Sequence, residues 1–141
     1  MTRIIFYSNL ADKHLILVSL VQQALDKRHL VTIMADSEQA ASQVNSALWG
    51  HGASGFLPST LATHTHAAMT PVLIDWQQKD LLQDDILINL TQNQLMCFSR
   101  FRQLIELVSN DESNKIAARQ RFKFYRDRGY EIKHIDEASL N

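Results

Sequence analysis

The stretch RIIFYSNLADKHLILVSLVQQALDKRHLVTIMA, residues 3–35, decides the fold class. RIIFY (3–7) is a short β-branched and aromatic run of the kind that forms a strand. From 10 to 28 the period changes. Leu15, Val18 and Leu25, with Ile16 and Leu20, recur at helical spacing. LVTIMA (30–35) returns to an unbroken apolar run, which reads as a second buried strand. Strand, helix, strand in about thirty residues is the βαβ signature, and a parallel sheet is its ordinary consequence.

The alternation continues. Asp36 or Ser37 can cap a helix reaching about Trp49. Residues 56–57 are a short extended piece stopped by Pro58, and STLATHTHAAMT (59–70) has no period and reads as a loop. PVLIDW (71–76) and DILINL (85–90) are strand-like. Residues 94–107 are read as a helix and SNDES (109–113) as a break. A basic helix follows, ended by Gly129, then a last strand YEIKHI (130–135) and a free tail. The expectation is a single α/β domain over residues 1–141 with a mainly parallel sheet flanked by helices.

Composition sets limits. The chain is 45% hydrophobic and 21% charged, which excludes a fully disordered protein. An isoelectric point near 6.6 argues against nucleic-acid binding by the whole surface. Cys97 is the only cysteine, so no internal disulfide is available and a reducing cytoplasm is the expected compartment. No apolar run approaches the roughly 20 residues needed to span a bilayer.

Charge is unevenly placed. Lys115 to Arg128 holds six basic residues and one acidic one, Asp127, in a chain of net charge −1. On a helix Lys115, Arg119, Phe122 and Arg126 share one face. Cations beside an apolar ring suit a ligand that is both acidic and hydrophobic, either nucleic acid or an acidic peptide with an aromatic anchor. A solvated helix face with rings turned to the core is the plain alternative.

Other motifs carry less. Gly50-His51-Gly52-Ala53-Ser54-Gly55 spells the dinucleotide fingerprint, but it follows a helix and precedes an extended piece, the reverse of what pyrophosphate binding needs. His64 and His66 lack the further ligands of a metal site. Cys97 reads as a small core residue. Asp84-Asp85 reads as a solvated strand end. No catalytic set assembles, and no metal or cofactor is expected. Trp49, Phe56, Leu57 and Pro58 suit either a core cap or an apolar surface for a partner.

An ordered set of segments carries a resemblance. It runs Ala47-Leu48-Trp49, Phe56-Leu57-Pro58, Pro71-Val72-Leu73-Ile74, Asp85-Ile86-Leu87-Ile88-Asn89-Leu90, then Ala118-Arg119-Gln120-Arg121-Phe122-Lys123 with Tyr125-Arg126. The chain resembles the chi subunits of bacterial DNA polymerase III holoenzyme over nearly its whole length. The resemblance implies a Rossmann-like α/β fold without a nucleotide site and a non-catalytic, cytoplasmic accessory role in DNA replication. It implies two partners: the psi subunit, which tethers chi to the clamp loader, and the acidic C-terminal tail of single-stranded DNA-binding protein (SSB), which ends in Phe. Contact with DNA is then indirect, and no membrane is involved. The tail site maps to Val108, Lys115, Arg119 and Phe122, with Arg126 near them. The psi side maps to Trp49, Phe56, Leu57 and Pro58. The rival reading is a direct single-stranded nucleic-acid binder using the basic helix 115–128.

Overall fold

The computed structural model describes residues 2–51, 59–61, 71–77 and 83–136. Its elements are β1 (Arg3–Leu10), α1 (Lys13–Asp26), β2 (Val31–Met34), α2 (Glu38–His51), β3 (Ser59–Leu61), β4 (Val72–Asp75), β5 (Ile86–Asn89), a 3₁₀ turn (Met96–Arg100), β6 (Gln103–Ser109), α3 (Glu112–Asp127) and β7 (Ile132–Asp136). Seven strands form one sheet in the order β3-β4-β2-β5-β6-β1-β7, and every neighbouring pair is parallel. This is the parallel α/β class expected from residues 3–35, in the Rossmann-like arrangement that the resemblance implies.

Strand side chains alternate between two cores. Ile33, Ile74, Ile88, Ile105 and Leu107 pack with α1 and α2 through Leu17, Val21, Ala41, Val44 and Leu48. Ile4, Phe6, Met34, Leu87, Leu104 and Val108 pack on the other face with Ala118 and Tyr125 of α3. Both faces of β2, β4 and β5 are covered, which is why all four residues of each are buried.

Two sequence expectations fail here. Residues 94–107 do not form a helix. They divide into the 3₁₀ turn and the start of β6, which lies between β5 and β1. Burial across β6 is nearly continuous, so Leu104 to Val108 carries no alternation from which to read a strand. Cys97 accordingly sits half-buried in the 3₁₀ turn, not on a long helix, and burial raises its thiol pKa. The second failure is the loop from 59: Ser59–Leu61 forms edge strand β3 against β4. The fingerprint glycines Gly52 and Gly55, the pair His64 and His66, and Phe56-Leu57-Pro58 lie outside the described residues.

The ends of α3 follow local rules. Asp111 caps its start. At its end Gly129 takes φ 83°, Tyr130 N donates to Tyr125 O at 3.1 Å and Gly129 N to Arg126 O at 3.0 Å. This is the left-handed stop that glycine makes without strain.

Candidate functional site

Adjacent strands β1 and β6 are followed by helices in opposite cores, so the chain divides at their carboxyl ends. That is where α/β sheets place their binding crevices. In this protein the crevice is bridged. Asn110 N donates to Leu10 O at 3.0 Å, and Lys13 Nζ donates to Asn114 Oδ1 at 3.1 Å, tying the first turn of α1 to that of α3. Both helix N-termini, the usual seats for phosphate, hold side-chain carboxylates instead. Asp12 accepts from His14 N at 2.9 Å, and Asp111 accepts from Asn114 N at 3.3 Å. Hydrogen bonds from Ser109, Asn114 and Ser113 hold the Asp111 carboxyl well below its usual pKa. Burial lowers the pKa of Lys13, and Arg121 pushes it the same way.

Beside this bridge a groove of about 460 Å³ opens over the ends of β6, β1 and β7. Its floor is apolar: Phe6, Val108 and Ala118 are all buried. Phe122 forms a half-buried wall, its ring 5.5 Å from that of Phe6 and nearly edge-on at 62°. Lys115, Ala118, Arg119 and Phe122 follow at i, i+3, i+4 and i+7, which puts them on one face of α3. Alanine at 118 keeps the floor deep, because its side chain ends at Cβ. Lys115 and Arg119 form a cationic rim and pair with no carboxylate among the described residues. Lys115 stands near the positive end of the α3 dipole, so charge and dipole reinforce each other. The opposite rim is polar. Ser8 Oγ lies 2.6 Å from His134 Nε2, and Asn9 Nδ2 donates to Asp136 Oδ2 at 2.8 Å.

The setting of α3 rests on a buried network that the sequence did not reveal. Arg121 is 4% exposed and pairs through Nε with Glu106 of β6, which is fully buried. Asn89 Nδ2 donates to Glu106 Oε1 at 2.6 Å and Arg121 Nη1 donates to Gln92 O at 2.7 Å. Thr91 Oγ1 donates to Asn89 Oδ1 at 2.7 Å. Burial pushes the Glu106 carboxyl pKa up, while Arg121 and Asn89 oppose that shift. The pair fixes which face of α3 meets the sheet and therefore where Lys115 and Arg119 point.

The structure thus gathers Val108, Lys115, Arg119 and Phe122 around one groove. Arg126 does not line it; its Nη2 lies 3.5 Å from Asp127 in solvent. Trp49 is in the last turn of α2, and its side chain is not described; Phe56, Leu57 and Pro58 lie outside the described residues. Ser8, Asn9, His134 and Asp136 were not anticipated. Only the parallel pairing of β7 with β1 brings them beside the helix.

Comparison with known proteins adds the decisive observation: the family model for DNA polymerase III chi subunit, HolC, matches residues 1–133. The chain belongs to the DNA polymerase III chi subunit family. A Haemophilus influenzae DNA polymerase III subunit chi is 36% identical over 104 residues, 72% of each chain. The Escherichia coli subunit is 33% identical over 103 residues, 72% of this chain and 70% of that one. The Pseudomonas aeruginosa subunit is 28% identical over 136 residues, 94% of each. In fold, the C-terminal domain of the DEAD-box protein Dbp5 superposes with a TM-score of 0.69 at 14% identity, covering 98% of this chain and 91% of that one. That likeness speaks for the fold alone. Family membership gives this chain an accessory role within the polymerase III assembly in replication. No described helix is long and apolar enough to cross a membrane.

Proposed function

We propose that the chain is a single-domain, non-catalytic, cytoplasmic chi subunit whose groove on α3 holds the acidic C-terminal tail of SSB. The observation that carries this reading is the groove itself: an apolar floor of Phe6, Val108 and Ala118 under a rim of two cations without carboxylate partners among the described residues. A peptide ending in acidic residues and Phe carries a ring for the floor and a terminal carboxylate for Arg119, which can grip it bidentately. Lys115 adds a diffuse positive field for the preceding acids. Asp136 on the far rim would repel those acids, so the peptide runs along the helix side.

Titration with a labelled peptide ending in acidic residues and Phe tests this. The free acid should bind, and the same peptide with an amidated C-terminus should bind at least tenfold more weakly. Equal binding of the two forms would refute carboxylate recognition.

In the same reading the psi subunit pairs with the surface of Trp49, Phe56, Leu57 and Pro58, connecting the chain to the clamp loader. Phe56→Ala should then lose psi while keeping peptide affinity and melting temperature. A folded variant that still binds psi normally would end that assignment. The rival, a nucleic-acid track along 115–128, is weakened by the fate of its charges. Arg121 is buried on Glu106, Arg126 pairs with Asp127, and Arg128 stacks 3.5 Å above the Phe124 ring.

A further inference from the structure

The opposite, amino-terminal end of the sheet holds an open recess of about 470 Å³. Arg3 opens β1, Arg102 immediately precedes β6, and Arg100 ends the 3₁₀ turn; all three are exposed and line this recess. Arg3 pairs in register with Gln103, so Arg3 and Arg102 stand at the ends of neighbouring strands, which lie about 4.8 Å apart across the sheet. Their backbone frame is fixed. Arg3 N donates to Arg102 O at 3.0 Å, Arg102 N donates to Asp85 O at 2.9 Å, and Thr2 Oγ1 donates to Phe101 O at 2.7 Å.

Two carboxylates share the recess. Asp85 is committed: its Oδ2 accepts from Leu30 N at 3.1 Å and lies 3.1 Å from His29 Nδ1. Asp84 is the remaining acid. Three guanidinium groups, none paired with a carboxylate among the described residues, therefore outnumber the two carboxylates of the recess. They are spread across an open, solvated mouth. That arrangement suits a chain of repeated anions better than one enclosed anion, and guanidinium forks match phosphate oxygens. The chain belongs to a DNA polymerase subunit family, so a phosphodiester backbone is the polyanion in its surroundings.

We propose that Arg3, Arg100 and Arg102 form a contact for the phosphate backbone of single-stranded nucleic acid, at the end of the sheet away from the α3 groove. No aromatic ring is exposed among these residues to stack a base. The contact is therefore sequence-independent, weak alone, and strongly dependent on salt. With three phosphates neutralised, log K falls with log salt at a slope of about −2, roughly a twentyfold loss between 50 and 200 mM.

Fluorescence anisotropy with a labelled oligothymidylate tests this, alongside the acidic peptide. The full chain should bind the oligonucleotide at 50 mM salt with that slope. The variant Arg3→Ala, Arg100→Ala, Arg102→Ala should lose tenfold or more and keep the peptide. Lys115→Ala with Arg119→Ala should do the reverse. If the triple variant melts early, Arg100→Ala and Arg102→Ala singly should each lower the slope by about 0.7. The inference is overturned if the wild-type chain does not bind at 50 mM or if these arginine variants bind like wild type. It is equally overturned if the α3 variants lose the oligonucleotide, or if acidic peptide displaces it from the chain lacking Lys115 and Arg119.

Discussion

Replacing Glu106 by Ala tests how α3 is held. Glu106 is fully buried and Arg121 is 4% exposed, so the mutation leaves a guanidinium in the core facing a cavity. Its remaining described partner is Gln92 O at 2.7 Å, a neutral carbonyl. Asn89 Nδ2 also loses its 2.6 Å acceptor and keeps its 3.0 Å bond to Asn93 O. Breaking one side of such a pair costs about 3–5 kcal/mol, a large part of the 5–15 kcal/mol that typically stabilises a domain. At this chain length that is a fall in Tm of about 10 °C or more. Removing both partners is a different perturbation. Glu106→Leu with Arg121→Met leaves no buried charge and should recover most of the loss, because apolar replacements of buried pairs are often neutral. Urea denaturation of wild type, Glu106→Leu, Arg121→Met and the double variant gives the coupling energy, expected above about 2 kcal/mol. A Glu106→Ala protein within 1 kcal/mol of wild type would refute the claim that this pair holds the helix.

Further outcomes follow from particular groups. Tyr125 is wholly buried against Phe98, with ring centroids 4.9 Å apart, and its hydroxyl has no partner among the described residues. Tyr125→Phe should therefore keep or raise stability, by up to about 1 kcal/mol, in urea melts; a loss above 1 kcal/mol would reveal a bond to that hydroxyl. Asp111 has a depressed folded-state pKa, held down by Ser109, Asn114 and Ser113. The stability it lends is present above the ordinary carboxylate value of about 3.9 and is lost as pH falls toward the folded value. Acid titration of Asp111→Asn should show less destabilisation over that window than wild type, and identical acid profiles would argue against the cap.

What the sequence disclosed depended on whether the signal was local. The helical phase of Leu15, Val18 and Leu25 between two apolar runs carried β1, α1 and β2. The i, i+4, i+7 series Lys115, Arg119, Phe122 carried the helical half of the groove. β6 was hidden because Leu104 to Val108 is buried on both faces, with a charged Glu106 in its middle, so neither period stands out. Arg121 looked like one more surface cation until β6 supplied Glu106 beneath it. The far rim was equally hidden: Ser8 and His134 meet only through the β1–β7 pairing, 126 residues apart in the chain.

The most direct test is the affinity of an acidic, Phe-ended tail peptide for wild type and for Arg119→Ala. Arg119 rims the apolar floor without a carboxylate partner among the described residues, so its loss removes a charge-assisted contact and leaves the floor intact. The expected cost is about 1.5–3 kcal/mol, a loss of roughly 10- to 150-fold with an unchanged melting temperature. Wild-type affinity in a folded Arg119→Ala protein would contradict the account.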